Sequence, residues 1–395
     1  GYRYTKDGTE AFTKCEENCT HTIKTTNGKS KYGISVTGGT HNIILDGVDI
    51  DTSLETDTNK WMSALSVSPN ATVNVTLKGA NKLVSVNTFA GISVPPDATL
   101  SIKRDEKDKT ASLFAKSNYG GAGIGGSGEA DNSSAGNITI YSGNITAIGG
   151  CGGAGIGGSG KGSAGNIVIH DGKVKAIGGG GNSEENPKKQ LGAPGIGAGN
   201  ESQENPYTSA SGSITINGGD VTAWGGKHLS SGQADGMAAK SLESKKGATA
   251  IVVTNGFRAN MNTDGFNGLR WSADNKGTSL PDGSPDIQRG NACTVYGHVT
   301  LPESLKNGIQ IGETLFIDRG CSITIPTEWG SWVCKGKITG DGKIVNADLI
   351  RVDEGGFLDI ADENLEVILQ AKDFTITPNL TFKGEVFSDT EVYTI

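Results

Sequence analysis

Three stretches of this chain repeat one another almost residue for residue, and such a chain builds its core by stacking copies rather than around one centre. The first is Gly-Ala-Gly-Ile-Gly-Gly-Ser-Gly at 121–128, then Gly-Asn-Ile-Thr-Ile at 136–140 and Asn-Ile-Thr-Ala-Ile-Gly-Gly at 144–150. The second runs through 153–160, 165–169 and 173–179, and the third through 192–199, 212–216 and 220–226. Copies with less glycine precede them: Gly-Ile-Ser-Val at 33–36 and 91–94, and Ala-Leu-Ser-Val at 64–67. With Ile34, Leu65, Ile92, Ile124, Ile156 and Ile196 as one column, the intervals are 31, 27, 32, 32 and 40 residues.

Each copy carries short runs such as Ile-Thr-Ile, alternating with period two and bounded by Gly, Asn or Asp. That is the pattern of a strand with alternate side chains inward. One such strand buries nothing alone; the next copy, about 4.8 Å away, completes its hydrogen bonds and its core. Ile138 to Ile145, Ile167 to Val174 and Ile214 to Val221 are each 7 residues apart, which marks a tight corner. The preceding connection varies from 8 to 18 residues, so insertions gather on one side. The fold class expected is all-β, a right-handed parallel β-helix (β-solenoid) with coils of about 30 residues. Residues 1–30 are expected as an N-terminal cap, 31–245 as the glycine-rich solenoid, and 246–395 as its continuation or a capping module.

The glycines suit positive φ and close approach of coils. A phosphate loop would need Gly-Lys-Ser/Thr opening a helix, which is missing. The 61 glycines do not imply disorder, because Ile and Val return at fixed offsets. The net charge of −8 is spread along the chain, and short basic runs such as Lys103–Arg104 are interleaved with acids, so no nucleic-acid partner is expected. No apolar run is long enough to span a bilayer, so no membrane insertion is expected. The chain opens at Gly1 without a charged-then-apolar leader and reads as a mature or trimmed form.

Candidate site residues are few. Asp49 and Asp51, in Asp46-Gly-Val-Asp-Ile-Asp51, would project outward together if Val48 and Ile50 face inward, and a glycosidase needs a carboxylate pair. The same spacing also suits a solvated strand edge. Trp224 stands where the repeat has Ile148 and Ile177, which favours inward packing over sugar stacking. Trp61, Trp271, Trp329 and Trp332 are expected in loops, where Trp329 and Trp332 flank Gly330-Ser331; the candidate ligand-binding residues are Trp224, Trp329, Trp332 and Tyr119. Cys15 and Cys19 form the one close cysteine pair, open to a disulfide or to free thiols; zinc would need a second pair or a histidine cluster. No cofactor is implied. Calcium is conceivable at acidic loops, although neither an EF-hand nor a calcium-binding nonapeptide repeat is present.

The Gly-Ala-Gly-Ile-Gly-Gly and Gly-Asn-Ile-Thr-Ile units, with Val-Thr-Leu-Pro at 299–302 and Cys-Ser-Ile-Thr-Ile at 321–325, resemble the glycine-rich β-helix repeats of secreted and surface proteins of Gram-positive anaerobic bacteria. The resemblance covers most of residues 30–360. It implies a pectate-lyase-like architecture, which hosts lyases, hydrolases and noncatalytic carbohydrate-binding modules alike. The function expected is a noncatalytic, adhesin-like solenoid, secreted or at the cell surface, monomeric, binding polysaccharide or a glycoprotein glycan. A carbohydrate-active enzyme and a structural stalk are the alternatives.

Overall fold

The computed structural model describes residues 20–26, 28–128, 134–180, 192–199, 212–226, 234–244, 265–272, 290–353 and 355–359, with the backbone of several strands outside them. The chain is all-β, with single 3-10 turns but no α-helix among the described residues. It divides into two compact units, the first mainly residues 1–243 and the second mainly 288–395 with 244–252 and 265–274.

Three parallel sheets make the first unit. One holds Ile34–Val36, Leu65–Val67, Ile92–Ser93, Ile124–Gly125, Ile156–Gly157, Ile196–Gly197 and Met237–Ala238. Its register pairs Ile34 with Leu65, then Ile92, Ile124, Ile156, Ile196 and Met237, which is the column read from the repeat plus one further member. An antiparallel hairpin, Tyr2–Lys6 with Thr9–Thr13, pairs with the first of these strands. The second sheet runs Thr20–Ile23, Thr40–Asp46, Thr72–Lys78, Thr99–Arg104, Asn137–Ile140, Asn166–Ile169 and Ser213–Ile216. The third runs Asp49–Asp51, Ala80–Ser85, Ser112–Ser117, Asn144–Ile148, Lys173–Ile177 and Asp220–Trp224.

Inward side chains line up because parallel pairing in register puts like on like. Val73, Leu100, Ile138, Ile167 and Ile214 form one such column, each fully buried. His41 heads it, also buried, with Nε2 2.6 Å from the Gly38 carbonyl oxygen. Each column member contacts its neighbours above and below, so a deletion leaves a cavity the ladder cannot close. Ile138→Ala is expected to cost about 2–5 kcal/mol, measured as the shift of the denaturant midpoint.

Glycine is required where the first sheet stacks most tightly. Gly125, Gly157 and Gly197 pair in register with φ of 135°, 131° and 139°. A Cβ at Gly157 would overlap the Gly197 carbonyl oxygen, which is backbone and cannot move aside. Gly160, with φ 51°, has open space instead. Gly160→Ala should therefore cost only the left-handed strain, about 1–2 kcal/mol, and Gly157→Ala clearly more; thermal denaturation of the two variants compares them.

In the second unit, residues 292–295 of the strand Pro285–Tyr296 pair with Thr314–Ile317, followed by Lys337–Gly340 and Phe357–Ile360. His298–Thr300, Ser322–Thr324 and Lys343–Val345 form another parallel sheet, and Trp332–Cys334 pairs with Ile350–Val352. Leu315, Ile317, Ile323, Ile338, Trp332 and Cys334 share its core. Two tryptophans expected in loops lie instead in strands: Trp271 and Trp332 are 1% and 0% exposed. Neither is flanked by Ile/Val alternation, which is why the sequence pattern missed them.

Candidate functional site

The acidic candidates lie on the outer face of the third sheet. Val48 and Ile50 are buried, and alternation sends Asp49 and Asp51 outward together. Their surroundings are structural. Asp51 caps the turn Thr52–Leu54, accepting from the Ser53 amide at 3.2 Å and from the Ser53 hydroxyl, and its second oxygen meets Lys29 at 3.3 Å. The Asp49 amide donates to Thr25 Oγ1 at 2.8 Å, while its Oδ1 is enclosed without a hydrogen bond.

Neighbouring carboxylates are held by lysines of adjacent strands. Asp46 lies 2.7 Å from Lys24 and 3.4 Å from Lys78, across three successive strands of the second sheet or their ends. The hydrogen bond from Lys24, then that from Lys78, holds its carboxyl below the usual value of 3.8. The Asp57 amide and Lys31 do the same for Glu55. A general acid needs the opposite, a carboxyl that keeps its proton near neutrality. Asp220, on the third sheet, is shifted upward, by burial, with Lys173 opposing.

A carboxyl whose pKa is lower folded than unfolded stabilises the fold above the unfolded value and loses that contribution as pH falls through the folded one. Asp46→Asn is therefore expected to lower stability at neutral pH and to flatten the loss of stability below pH 3.8. Melting temperature against pH, compared with the unsubstituted chain, reads this directly.

The aromatic candidates scatter. Trp224 pairs in register with Ile177, but Val221 and Ala223 take the buried inward positions, so alternation turns Trp224 to the outer side. It packs there with Ile148, Ile177 and Phe114 as a small cluster, correcting the expectation that this column joins the main core. Lys175 Nζ sits 5.5 Å from its ring centroid. Tyr119 is 48% exposed in the turn after Ser112–Ser117, its amide donating to the Asn87 carbonyl. In the second unit Trp329 packs on the core edge and its Nε1 donates to Glu303 at 3.3 Å. Trp332 is withdrawn as a ligand-binding candidate: it is enclosed, and its Nε1 donates to the Leu305 carbonyl at 2.7 Å. Cys15 and Cys19 lie outside the described residues. Cys334 is a buried thiol donating to the Gly336 carbonyl, its pKa pushed up to about 11 by burial.

A surface that no motif announced is the outer face of the second sheet. Six successive strands share three columns of accessible residues there, and the first two strands add a fourth outward residue each, Asp46 and Lys78. One column is Thr40, Thr72, Thr99, Asn137, Asn166 and Ser213; the next is Asn42, Asn74, Ser101, Thr139, Val168 and Thr215. The third is Ile44, Thr76, Lys103, Tyr141, His170 and Asn217, the last three extending the ladder through their amides. Asn74 Nδ2 donates to Asn42 Oδ1 at 3.1 Å, Asn166 Nδ2 to Asn137 Oδ1 at 3.0 Å, and Ser213 Oγ to Asn166 Oδ1 at 3.2 Å. The rings of Tyr141 and His170 stack at 5.0 Å with an interplanar angle of 2°, and Asn217 Nδ2 lies 3.3 Å from His170 Nδ1. Tyr141 stays 50% exposed. The signal was present in the polar residues between paired isoleucines and in the residue following each strand, which the repeat leaves free to vary.

Comparison of the chain with protein-family models, with curated proteins and with solved structures returned no match. What stands is a class: an all-β chain of long, regularly stacked parallel sheets, consistent with a β-solenoid.

Proposed function

We propose that this is a noncatalytic, extracellular, adhesin-like β-solenoid that binds polysaccharide or glycoprotein glycans on the outer face of its second sheet. The three sheets of the first unit are then the faces of a right-handed β-helix with coils of about 30 residues. Right-handedness is the expectation for parallel strands joined by crossovers in L-polypeptides.

The observation that carries the reading is the three-column array itself. Its hydroxyl and amide groups are the chemistry that meets sugar hydroxyls, and the strands hold them rigid before any ligand arrives. Little side-chain freedom remains to be lost on binding, which favours affinity. In the Tyr141–His170 pair the ring faces are turned to each other, so edges and polar atoms are left for a partner. An extended glycan laid across successive strands would meet a similar donor and acceptor set about every 4.8 Å.

The test is retention of the chain on a panel of polysaccharides, with parallel assays for new reducing ends and unsaturated products. Binding without products is expected, and the double substitution Tyr141→Ala with His170→Ala should weaken it by about tenfold, the worth of one or two hydrogen bonds. Appearance of products would overturn the noncatalytic reading, and unaltered binding by the double variant would remove this face from it.

A further inference from the structure

Resting on the polysaccharide-binding reading, we infer that the partner of the second-sheet face is a neutral polysaccharide in ordered, solid form rather than a single soluble chain. Two features of the array point there. The first is charge. The chain carries a net charge of −8, yet none of the three columns contains a carboxylate, and Lys103 is their one permanent cation. Lys24 and Lys78, farther along the same face, are paired with Asp46. An acidic polysaccharide would call for a row of cations, and the three columns hold one; a neutral polymer needs only hydroxyls and amides.

The second feature is dimensionality. Strands about 4.8 Å apart, with outward residues about 6.6 Å apart along each strand, set out polar groups as a two-dimensional net. The side-chain bonds from Asn166 to Asn137 and from Ser213 to Asn166 hold the net in place across strands. A lone flexible chain engages one row of such a net and loses its own conformational freedom in doing so. Parallel chains already packed in a crystal face lose none, and engage several rows at once, so many weak contacts act together. The low relief suits a flat partner: the outward residues are mostly Thr, Ser and Asn, with Lys103, Tyr141 and His170 confined to one margin column.

The experiment is depletion of the intact chain from solution by microcrystalline cellulose and by crystalline chitin. The same polymers in swollen, amorphous form and their soluble oligosaccharides serve as competitors. Thr139→Glu with Thr215→Glu places carboxylates in the central column, and Thr146→Glu on the third sheet is the control, each checked for an unchanged circular dichroism spectrum. The expected result is retention on at least one crystalline polymer, about tenfold or more weaker with the double variant, unchanged by Thr146→Glu, and not competed by oligosaccharides. Equal retention on amorphous polymer, or competition by soluble fragments, overturns the ordered-solid inference and leaves the polysaccharide-binding reading in place. With acidic polysaccharides and immobilised glycoprotein glycans added to the panel, binding to the acidic polymers alone overturns the neutral assignment, and absence of binding to every polysaccharide and glycan overturns both readings.

Discussion

The first unit depends on one interaction, the parallel backbone ladder between one repeat and the next, held in a single register. Every pairing from Ile34 to Met237 in the first sheet, and from Thr20 to Ser213 in the second, matches equivalent positions of successive repeats. That register makes the inward columns apolar along their length. A slip of one residue would turn each Ile inside out. The ladder also sets the glycine requirement: at Gly125, Gly157 and Gly197 the carbonyl of the next strand occupies the space a side chain would need.

The same register orders the outside. Positions that no core contact constrains still fall into columns, so the outer face of the second sheet becomes a net of Thr, Ser and Asn without any residue being chosen for packing. Apart from Lys103 these columns carry no permanent charge, and several charged groups beside them serve the fold. Lys24 and Lys78 on Asp46, Lys29 on Asp51 and Lys31 on Glu55 pair with acids among the first strands. Partly exposed pairs of this kind contribute little individually. At Asp46 and Glu55 their effect is to favour the ionised carboxylate, which separates these two from acid catalysis.

The second unit follows the same chemistry with a less regular sequence. Trp332 and Cys334 occupy core positions where the first unit uses Ile and Val, and Trp332 is accommodated because Leu305 offers a carbonyl to its indole. A buried amide organises one edge: Asn267 accepts from the His298 amide at 2.8 Å and donates to the carbonyls of Ser244 and Gly265, each at 3.1 Å. Such a residue looks like surface in the sequence, since only its partners reveal that it is satisfied when buried.

The stack of strands, the Ile34-to-Ile196 column, the tight corner before the third sheet and the outward pairing of Asp49 with Asp51 were legible in the sequence. Each rests on a spacing, and spacing along a strand converts directly into side of sheet. Tertiary structure alone decided what those side chains meet. Asp51 could be seen to face outward, but not that Ser53 and Lys29 occupy it; Trp224 stood in an Ile column, but the column proved to be on the outer side. Tyr141 and His170 lie 29 residues apart and become a stacked pair only because the ladder brings successive strand ends together. Local periodicity is a property of the chain, whereas contacts between repeats depend on register, and register is fixed only when the repeats have stacked.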